Sequence, residues 1–448
     1  MRRYVIQQAT QLEKIANKAK REPDFCFTSL AHHLTESLLR QCLHKMKANT
    51  AAGFDGMTLK DAKKSFEIWC PQVIDQVHKG QYRPPPTKRV YIDKPGSTVK
   101  RPISIPTVID RVVQAAVAFI LQQIYEQDFS DISFGGRPKR SAHQAIGRLN
   151  NACYQKVSFV LDADLSDFFG SLDHKWIEKM FSLRLGDPRL LRLLRRWLVV
   201  GHIEGDKRIK STQGAPQGGP ISVLISNIYL HYALDLWIEK RLTRQLQGEV
   251  HAVRYLDDFV LCVQYAADAE QVQNLVEERL KKFSLRLHPE KTRLIRAGRF
   301  AKRDAKRFHE KLESFEFLGF RIYNSQVPRS GIFRLGFKIA CKRFCRAVQN
   351  TKLLLRRMRH WPVEAQHARL NLTLRGIFQY YGIFGCYDQQ RNIHYHIVRY
   401  WRKMLSNRSQ KGKLNWQKFN LLLKRYPLVK PKTSVTFKQL QALGNCFS

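Results

Sequence analysis

The sequence predicts an α+β fold over roughly its first three quarters and an all-α region after about residue 335. Residues 84–106 and 251–263 each place β-type residues on both sides of a turn, as two strands of a hairpin do. Residues 157–164 (VSFVLDAD) form a short apolar strand that ends in acids. Because hairpins pair their strands antiparallel, we expect antiparallel sheets.

Helices are predicted where apolar residues recur every three or four positions. GFDG at 53–56 is typical of a turn, and the composition becomes helical and strongly basic after 335, which places a domain boundary near 325–340. The predicted helices lie within 1–50 and over 108–127, 174–200, 221–245 and 267–284, and one further strand lies over 315–322.

The chain is very basic: its 448 residues hold 78 Lys and Arg against 37 Asp and Glu, a net charge of +41. Such a protein repels itself unless it meets a polyanion, so we expect nucleic acid as the partner, with an anionic membrane surface as the lesser alternative. From Gly331 to Ser448 there are 24 basic residues and two acids, Glu364 and Asp388. A solvated basic surface would explain this charge, but interleaved aromatic residues favour nucleic-acid binding. These are Phe344, Trp361, Phe378, Tyr380, Tyr381, Tyr400, Trp401 and Trp416.

The cysteines and the N-terminus indicate a cytoplasmic protein. The nine cysteines contain one close pair, Cys341 and Cys345, and no CxxC, which argues against zinc knuckles and a disulfide framework. Residues 1–20 have the pattern of a charged amphipathic helix rather than a signal peptide. No apolar run was expected to span a membrane.

Two groups of acids adjoin apolar strands. Asp162 and Asp164 end the run at 157–164, and Asp257 and Asp258 lie between the two strands of 251–263. Acids at the end of a buried strand are costly unless they are paired or bind metal, and Mg²⁺ prefers carboxylate and phosphate oxygens. An Asp-Asp pair alone is more often a turn or a helix N-cap, so the pair does not decide the function.

An ordered set of motifs resembles the bacterial group II intron reverse transcriptases and covers nearly the whole chain. Each motif is weak alone, but their common order is very specific. The set is GFDG at 53–56, KRPISIPT at 100–107, DRVVQ at 110–114, SFGGRP at 133–138, RSAH at 140–143, DLSDFF at 164–169, PQGGPIS at 216–222, SNIYL at 226–230, YLDD at 255–258, HPEKT at 288–292 and FLGF at 317–320.

The resemblance implies a right-hand polymerase, with α+β fingers and palm, an antiparallel palm sheet and an all-α thumb. It implies an RNA-directed DNA polymerase that extends a DNA or RNA primer with dNTPs on an RNA template, and also on DNA. Two Mg²⁺ ions, for which Mn²⁺ can substitute, would act in phosphoryl transfer. The expected domains are an N-terminal helical extension of the fingers (1–50), fingers and palm (51–330), a helical thumb or domain X (331–405), and a basic nucleic-acid-binding tail (406–448).

The catalytic acids follow from the same resemblance. Asp164 corresponds to the first metal-binding aspartate, because Phe169 then falls five residues later, where the family has an aromatic gate against a 2′-hydroxyl. Asp162 is the alternative, or else a hydrogen-bonding residue at the strand end. Asp257 corresponds to the ligand of both metal ions, and Asp258 supports it.

Backbone groups and fingers residues would bind the nucleotide. The backbone at Leu165 and Ser166 is expected against the triphosphate, with Leu165 also among the metal ligands. Arg101 and Lys94 flank the fingers turn and would hold the triphosphate, which a planar guanidinium binds bidentately. A solvated surface charge is the alternative for either.

Three further residues complete the expected nucleotide site. Gln217 and Gly218 resemble the element that contacts the templating base and the incoming nucleotide, where a side chain on the glycine would clash with a stacked base pair. Lys291 resembles a lysine near the pyrophosphate leaving group, although a plain surface lysine is nearly as well supported.

The chain departs from the family pattern at Leu256, Gly170 and Val223, and no endonuclease motif follows residue 405. The bulk of Leu256 predicts an altered hold on the primer end. Three settings stay open: a domesticated enzyme for DNA repair or phage defence, an intron-encoded maturase that binds a structured intron RNA, and a non-catalytic RNA-binding splicing factor. We expect a bacterial cytoplasmic protein that works at the nucleoid, with no membrane partner and an undetermined oligomeric state.

Overall fold

In a computed structural model, the residues described are 2–93, 100–205, 207–209, 211–309, 311–327, 330–409 and 413–445. The first part contains five helices and one β-hairpin. Thr58 and Asp61 begin one helix with reciprocal side-chain caps, which satisfies its free backbone N–H groups. The elements are α1 (Arg2–Arg21), α2 (Glu36–Lys45), α3 (Leu59–Lys64), α4 (Phe66–His78), β1 (Thr87–Asp93), β2 (Lys100–Ile105) and α5 (Val108–Asp128), with a short 3₁₀ turn at Ala31–His33.

The middle of the chain covers most of the predicted palm. It contains α6 (Ala142–Tyr154), β3 (Phe159–Asp164), α7 (Phe168–Ser171), α8 (His174–Ser182), α9 (Pro188–Val199), β4 (His202–Glu204), β5 (Lys207–Ile209), α10 (Pro220–Leu230), α11 (Thr243–Gln245), β6 (Val250–Tyr255), β7 (Asp258–Val263), α12 (Ala266–Lys281), β8 (Arg293–Arg296) and α13 (Ala301–Arg307). Between α10 and α11 the helix widens into π-helical turns at His231–Asp235 and Ile238–Leu242.

The last part holds three strands and five helices: β9 (Ser314–Phe317), β10 (Phe320–Gln326), β11 (Phe333–Ile339), α14 (Cys341–Arg357), α15 (Val363–Tyr380), α16 (Tyr387–Ser406), α17 (Trp416–Arg425) and α18 (Phe437–Asn445). The central sheet has the order β6-β7-β3-β8 and is antiparallel throughout. A second sheet, β2-β1-β4-β5, contains one parallel pair, β1 with β4, and a third has the order β11-β10-β9. The α+β architecture with a helical C-terminal region confirms the predicted fold class.

Two predicted elements were wrong in detail. The predicted helix 174–200 is two helices, because Asp187 caps a new helix that starts at Pro188. The predicted strand 315–322 is a hairpin that turns at Leu318 (φ 52°) and Gly319 (φ 80°). Two left-handed residues in a row form the tight turn that suits twisted antiparallel strands.

The C-terminal segment folds back onto the predicted thumb and palm. Ser434 donates its backbone N–H to the carbonyl of Gly382 at 2.8 Å, and α18 packs on α6 so closely that a Cβ on Gly147 would lie 2.5 Å from the carbonyl oxygen of Leu440. Leu440 is fully buried. The expected tail is thus partly built into the fold, and its binding role stays a prediction.

Two described helical segments, α5 and 220–245, are long and apolar enough to cross a membrane by length and composition, contrary to the sequence expectation. Their apolar windows are 67% and 78% buried inside the protein. Both therefore have the burial of core helices.

Candidate active site

The predicted acids meet at one end of the central sheet. β3 and β7 are antiparallel neighbours, and their register places Asp164 directly opposite Asp258. Asp257 precedes Asp258 in the turn between β6 and β7. All three acids, with Asp162, line a cavity of about 1150 Å³ that opens between the fingers hairpin and the start of the thumb.

Burial and mutual repulsion disfavour the ionised form of these carboxylates. Burial, followed by repulsion from three neighbouring carboxylates, raises the pKa of Asp258 well above its ordinary value. Burial also raises the pKa of Asp257, with a further contribution from Asp164. Burial, offset in part by Arg293, raises the pKa of Asp162 to about 7. Carboxylates in this state are stabilised by a nearby cation.

Lys291 supplies one such cation. Its ammonium group is hydrogen-bonded to the carboxylate of Asp164. No three metal-binding side chains among the described residues converge closely enough to enclose an ion as they stand. The donors are nevertheless the oxygen ligands that Mg²⁺ prefers. A metal ion at this site would compete with Lys291 for the carboxylate of Asp164.

Arg254 holds the turn that carries Asp257. Its side chain is 1% exposed, and its guanidinium contacts the backbone of the turn by donating to the carbonyl oxygen of Leu256 at 3.0 Å. Its other bonds are to Asp235 (2.6 and 2.5 Å), Asn227 (3.2 Å) and Ser133 (2.8 Å). The π-helical turn at His231–Asp235 contributes the fully buried Asp235. Arg254 thus links three segments to the turn that carries Asp257 through five hydrogen bonds.

The sequence reasoning missed Arg254 and its partners. One signal was present: Arg254 is the charge within an otherwise apolar strand, and buried charges are paired. The residue with which it pairs could not be read from the sequence, because Asp235 lies in a segment that was predicted as an ordinary helix.

Gly135 and Gly136 let their loop approach the catalytic turn. A Cβ on Gly135 would lie 2.5 Å from the backbone nitrogen of Leu256, and one on Gly136 would lie 2.3 Å from Val223. Leu256 itself has a left-handed backbone (φ 58°), and its side chain contacts this glycine pair. The family departure at Leu256 therefore fills space beside the glycine loop, and its effect on the primer stays a prediction.

A profile of the family described as reverse transcriptase (RNA-dependent DNA polymerase) matches residues 92–322. The chain belongs to this family. It is 32% identical to Protein YkfC of Escherichia coli strain K12, over 63% of this chain and 83% of that protein. It is also 26% identical to the group II intron-encoded protein LtrA of Lactococcus lactis subsp. cremoris, over 73% of this chain.

The alignment spans 61% of the length of LtrA, so the chain matches only part of that relative. An uncharacterized 91 kDa protein in the cob intron of Schizosaccharomyces pombe is 29% identical over 47% of this chain and 24% of its own length. The resemblance to group II intron-type reverse transcriptases is confirmed, and with it the right-hand polymerase fold.

Gln217 and Gly218, which were predicted to contact the nucleotide, lie against β2 of the β1–β2 hairpin. The backbone N–H of Ser104 in β2 donates to the carbonyl oxygen of Gln217 at 2.8 Å. Gly218 has φ 126°, and a Cβ there would lie 2.6 Å from the carbonyl oxygen of Ser104. The glycine is thus required by the approach of the protein's own backbone, besides the base-pair contact that the sequence suggested.

The other residues that were predicted to bind the nucleotide lie in different parts of the structure. Phe169 and Arg101 line the cavity, and the charge of Arg101 partly offsets the rise that burial causes in the pKa of Asp257. Lys94 and the Pro95-Gly96 turn lie outside the described residues. Leu165 and Ser166 also line the cavity, but the backbone N–H of Ser166 already donates to the carbonyl oxygen of Arg286 at 2.9 Å. This N–H can meet a phosphate only if that bond opens.

Gly170, a second departure from the family, has a local structural reason. Asp167 has a left-handed backbone (φ 39°), and its carboxylate lies where a side chain at 170 would start, 2.3 Å from an added Cβ. A side chain at 170 would therefore require the Asp167 carboxylate to move. Gly170 avoids that clash beside the predicted aromatic gate.

The thumb meets the palm at the turn of the β9–β10 hairpin. Tyr380 donates its hydroxyl hydrogen to the carbonyl oxygen of Leu318 at 2.8 Å, and its ring stacks on Phe320 at 5.7 Å. His143, from the RSAH motif, contacts the backbone oxygen of Tyr380 at 2.7 Å. Lys342 and Arg343, at the start of α14, line the active-site cavity and extend its positive charge into the thumb.

Proposed function

We propose that this reverse transcriptase extends a DNA or RNA primer on an RNA template, and also on a DNA template, with Asp164, Asp257 and Asp258 as its catalytic acids. One observation carries the assignment: the register of β3 and β7 brings acids from distant motifs together in a cavity that Lys and Arg residues also line. Carboxylates and cations in one cavity suit a reaction in which metal ions and triphosphate meet.

Two Mg²⁺ ions, replaceable by Mn²⁺, would bind the three acids and the backbone oxygen of Leu165. When bound, they supply the Lewis acidity that activates the primer 3′-hydroxyl and stabilises the leaving pyrophosphate. Lys291, released from Asp164, would neutralise the pyrophosphate side. Arg101 would clamp the triphosphate, and Phe169 would lie beneath the sugar, where a 2′-hydroxyl is excluded.

A structured intron RNA is a further proposed partner. The support is that relatives are named as intron-encoded proteins or as proteins within introns. A maturase role would use the basic C-terminal quarter, which holds 24 basic residues and two acids. Work in DNA repair or phage defence, in the bacterial cytoplasm, remains a proposal that rests on the departures from the family pattern.

We retain the proposed division into a fingers extension (1–50), fingers and palm (51–330), thumb (331–405) and tail (406–448). One continuous hydrophobic core runs through the last three parts: Val160 of the palm, Trp401 of the thumb and Phe419 of the tail belong to it. The division therefore describes function rather than independent folding units.

The test is primer extension on an RNA template with Mg²⁺ and four dNTPs. Wild type should extend the primer, and Asp257→Ala should not. Asp388→Ala is the matched control, because Asp388 lies on the thumb with its side chain 80% exposed; it should retain full activity. If wild type extends no primer yet binds RNA tightly, the catalytic assignment fails and the RNA-binding splicing factor replaces it.

A further inference from the structure

A basic groove, the thumb groove, lies where the thumb (331–405) meets the start of the tail (406–448), apart from the active site. It has a volume of about 650 Å³ and is formed by α14, the last turns of α16 and the start of α17. None of its lining residues belongs to the active-site cavity. On α14, Lys352 lies nine residues after Arg343 of that cavity, which is about 14 Å along the helix at ~1.5 Å per residue.

The groove carries positive charge without an acid among the described residues that line it. Five cations contribute, and four of them come from α16 or the segment just after it. They are Lys352, Arg399, Arg402, Lys403 and Lys413. A concave surface of one charge concentrates the field and attracts a polyanion.

Exposed aromatic rings distinguish this groove from a plain phosphate-binding surface. Tyr395 is 52% exposed and Trp416 is 43% exposed, although both rings would bury more apolar area inside the core. The guanidinium of Arg402 lies 4.4 Å from the Trp416 ring, and Arg402 also donates to the carbonyl oxygen of Leu414 at 2.9 Å, so the ring is held in place. Arg399 contacts Tyr395 in the same way, with its guanidinium 5.3 Å from the ring.

We propose that this thumb groove binds an unpaired stretch of nucleic acid, with bases stacked on Tyr395 and Trp416 and phosphates held by the five cations. Cations alone would serve a duplex, whose bases are stacked inside and cannot reach these rings. Aromatic platforms inside a basic channel are the way in which proteins hold single strands without reading sequence. The site goes beyond the proposed polymerase function, because it can hold a single strand away from the templating position.

The experiment measures the binding of a fluorescent 12-nucleotide single strand by anisotropy. Excess unlabelled blunt-ended duplex, which has no single-stranded overhang, occupies the active-site cleft, and no dNTP is present. In Tyr395→Ala/Trp416→Ala the affinity should fall at least fivefold, since stacking contributes ~1–3 kcal/mol per base, about 5–150-fold. A separate titration with labelled blunt duplex, and primer extension on a short template, should be unchanged.

The matched control is Trp361→Ala/Tyr387→Ala, which removes two rings of similar exposure (49% and 45%) on the same thumb but outside the groove. It should leave single-strand affinity unchanged. Tyr395→Phe/Trp416→Phe keeps an aromatic ring at both positions and should retain binding. It therefore shows whether a loss in the alanine variant comes from the missing rings or from misfolding. RNA and DNA probes are compared to find which strand binds better.

Unchanged single-strand affinity in the alanine variant would overturn the proposal. An equal loss of duplex affinity would overturn it too, because the groove would then be a duplex-binding surface. Both readouts are independent of polymerisation, so a failure here is distinct from a failure of the catalytic assignment.

Discussion

Gly135→Ala tests how closely the catalytic turn is positioned. The added Cβ would lie 2.5 Å from the nitrogen of Leu256 and 2.9 Å from the carbonyl carbon of Tyr255. Ordinary contacts begin at 3.4 Å, so the turn must retreat by about 0.9 Å. Both of these atoms belong to the peptide group between Tyr255 and Leu256, so rotating a side chain cannot relieve the clash. A misplacement of ~1 Å at a reacting centre can reduce the rate about 100-fold.

The assay is single-turnover primer extension with saturating primer–template and dNTP. We expect the rate to fall by about two orders of magnitude, with template affinity by anisotropy unchanged. The control is Gly376→Ala, at a position in α15 where an added Cβ meets nothing within 4 Å. It should stabilise the protein by ~0.5–1 kcal/mol and leave the rate alone. A Gly135→Ala enzyme within about twofold of the wild-type rate would refute this account of the turn.

Two further predictions concern buried charge. Arg254→Lys replaces five fixed donors by one flexible ammonium, so the Mg²⁺ concentration for half-maximal extension should rise. The control is Arg184→Lys, because Arg184 is also buried and pairs with Asp128. It should lower stability without changing the Mg²⁺ concentration for half-maximal extension. Equal Mg²⁺ concentrations for wild type and both variants would contradict the role of Arg254. Burial raises the pKa of Asp110 to about 6, so the stability that this carboxyl contributes is complete below about pH 4 and is lost as the pH rises through 6. The free energy of unfolding in urea should therefore be higher for Asp110→Asn than for wild type by up to ~3 kcal/mol at pH 7.5, but not at pH 4. The new amide can donate to the unpaired oxygen of Gln114 once the Gln114 amide has flipped. A difference that does not depend on pH would rule this out.

Local patterns in the chain predicted most elements of the palm. The acids of β3 and of the β6–β7 turn were found because charged residues interrupt apolar strands, and such a pattern needs only neighbouring residues. The break at Pro188 was also readable, since an aspartate followed by proline is typical of a helix start. The turn at Leu318 was not, because FEFLGF continues the strand-like apolar pattern across it.

By itself, the sequence determined the family, the order of elements and the basic charge of the C-terminal quarter, and it singled out the acids that meet in the structure. Only the tertiary structure decided what holds those acids in place. The contact between Gly135 and Leu256 joins residues 121 positions apart, and Arg254 meets Ser133 across the same distance. Likewise, Tyr395 and Trp416 share a groove only because α16 and α17 pack together. Such contacts depend on distance in space, and a local pattern carries no information about which distant backbone will come within 3 Å.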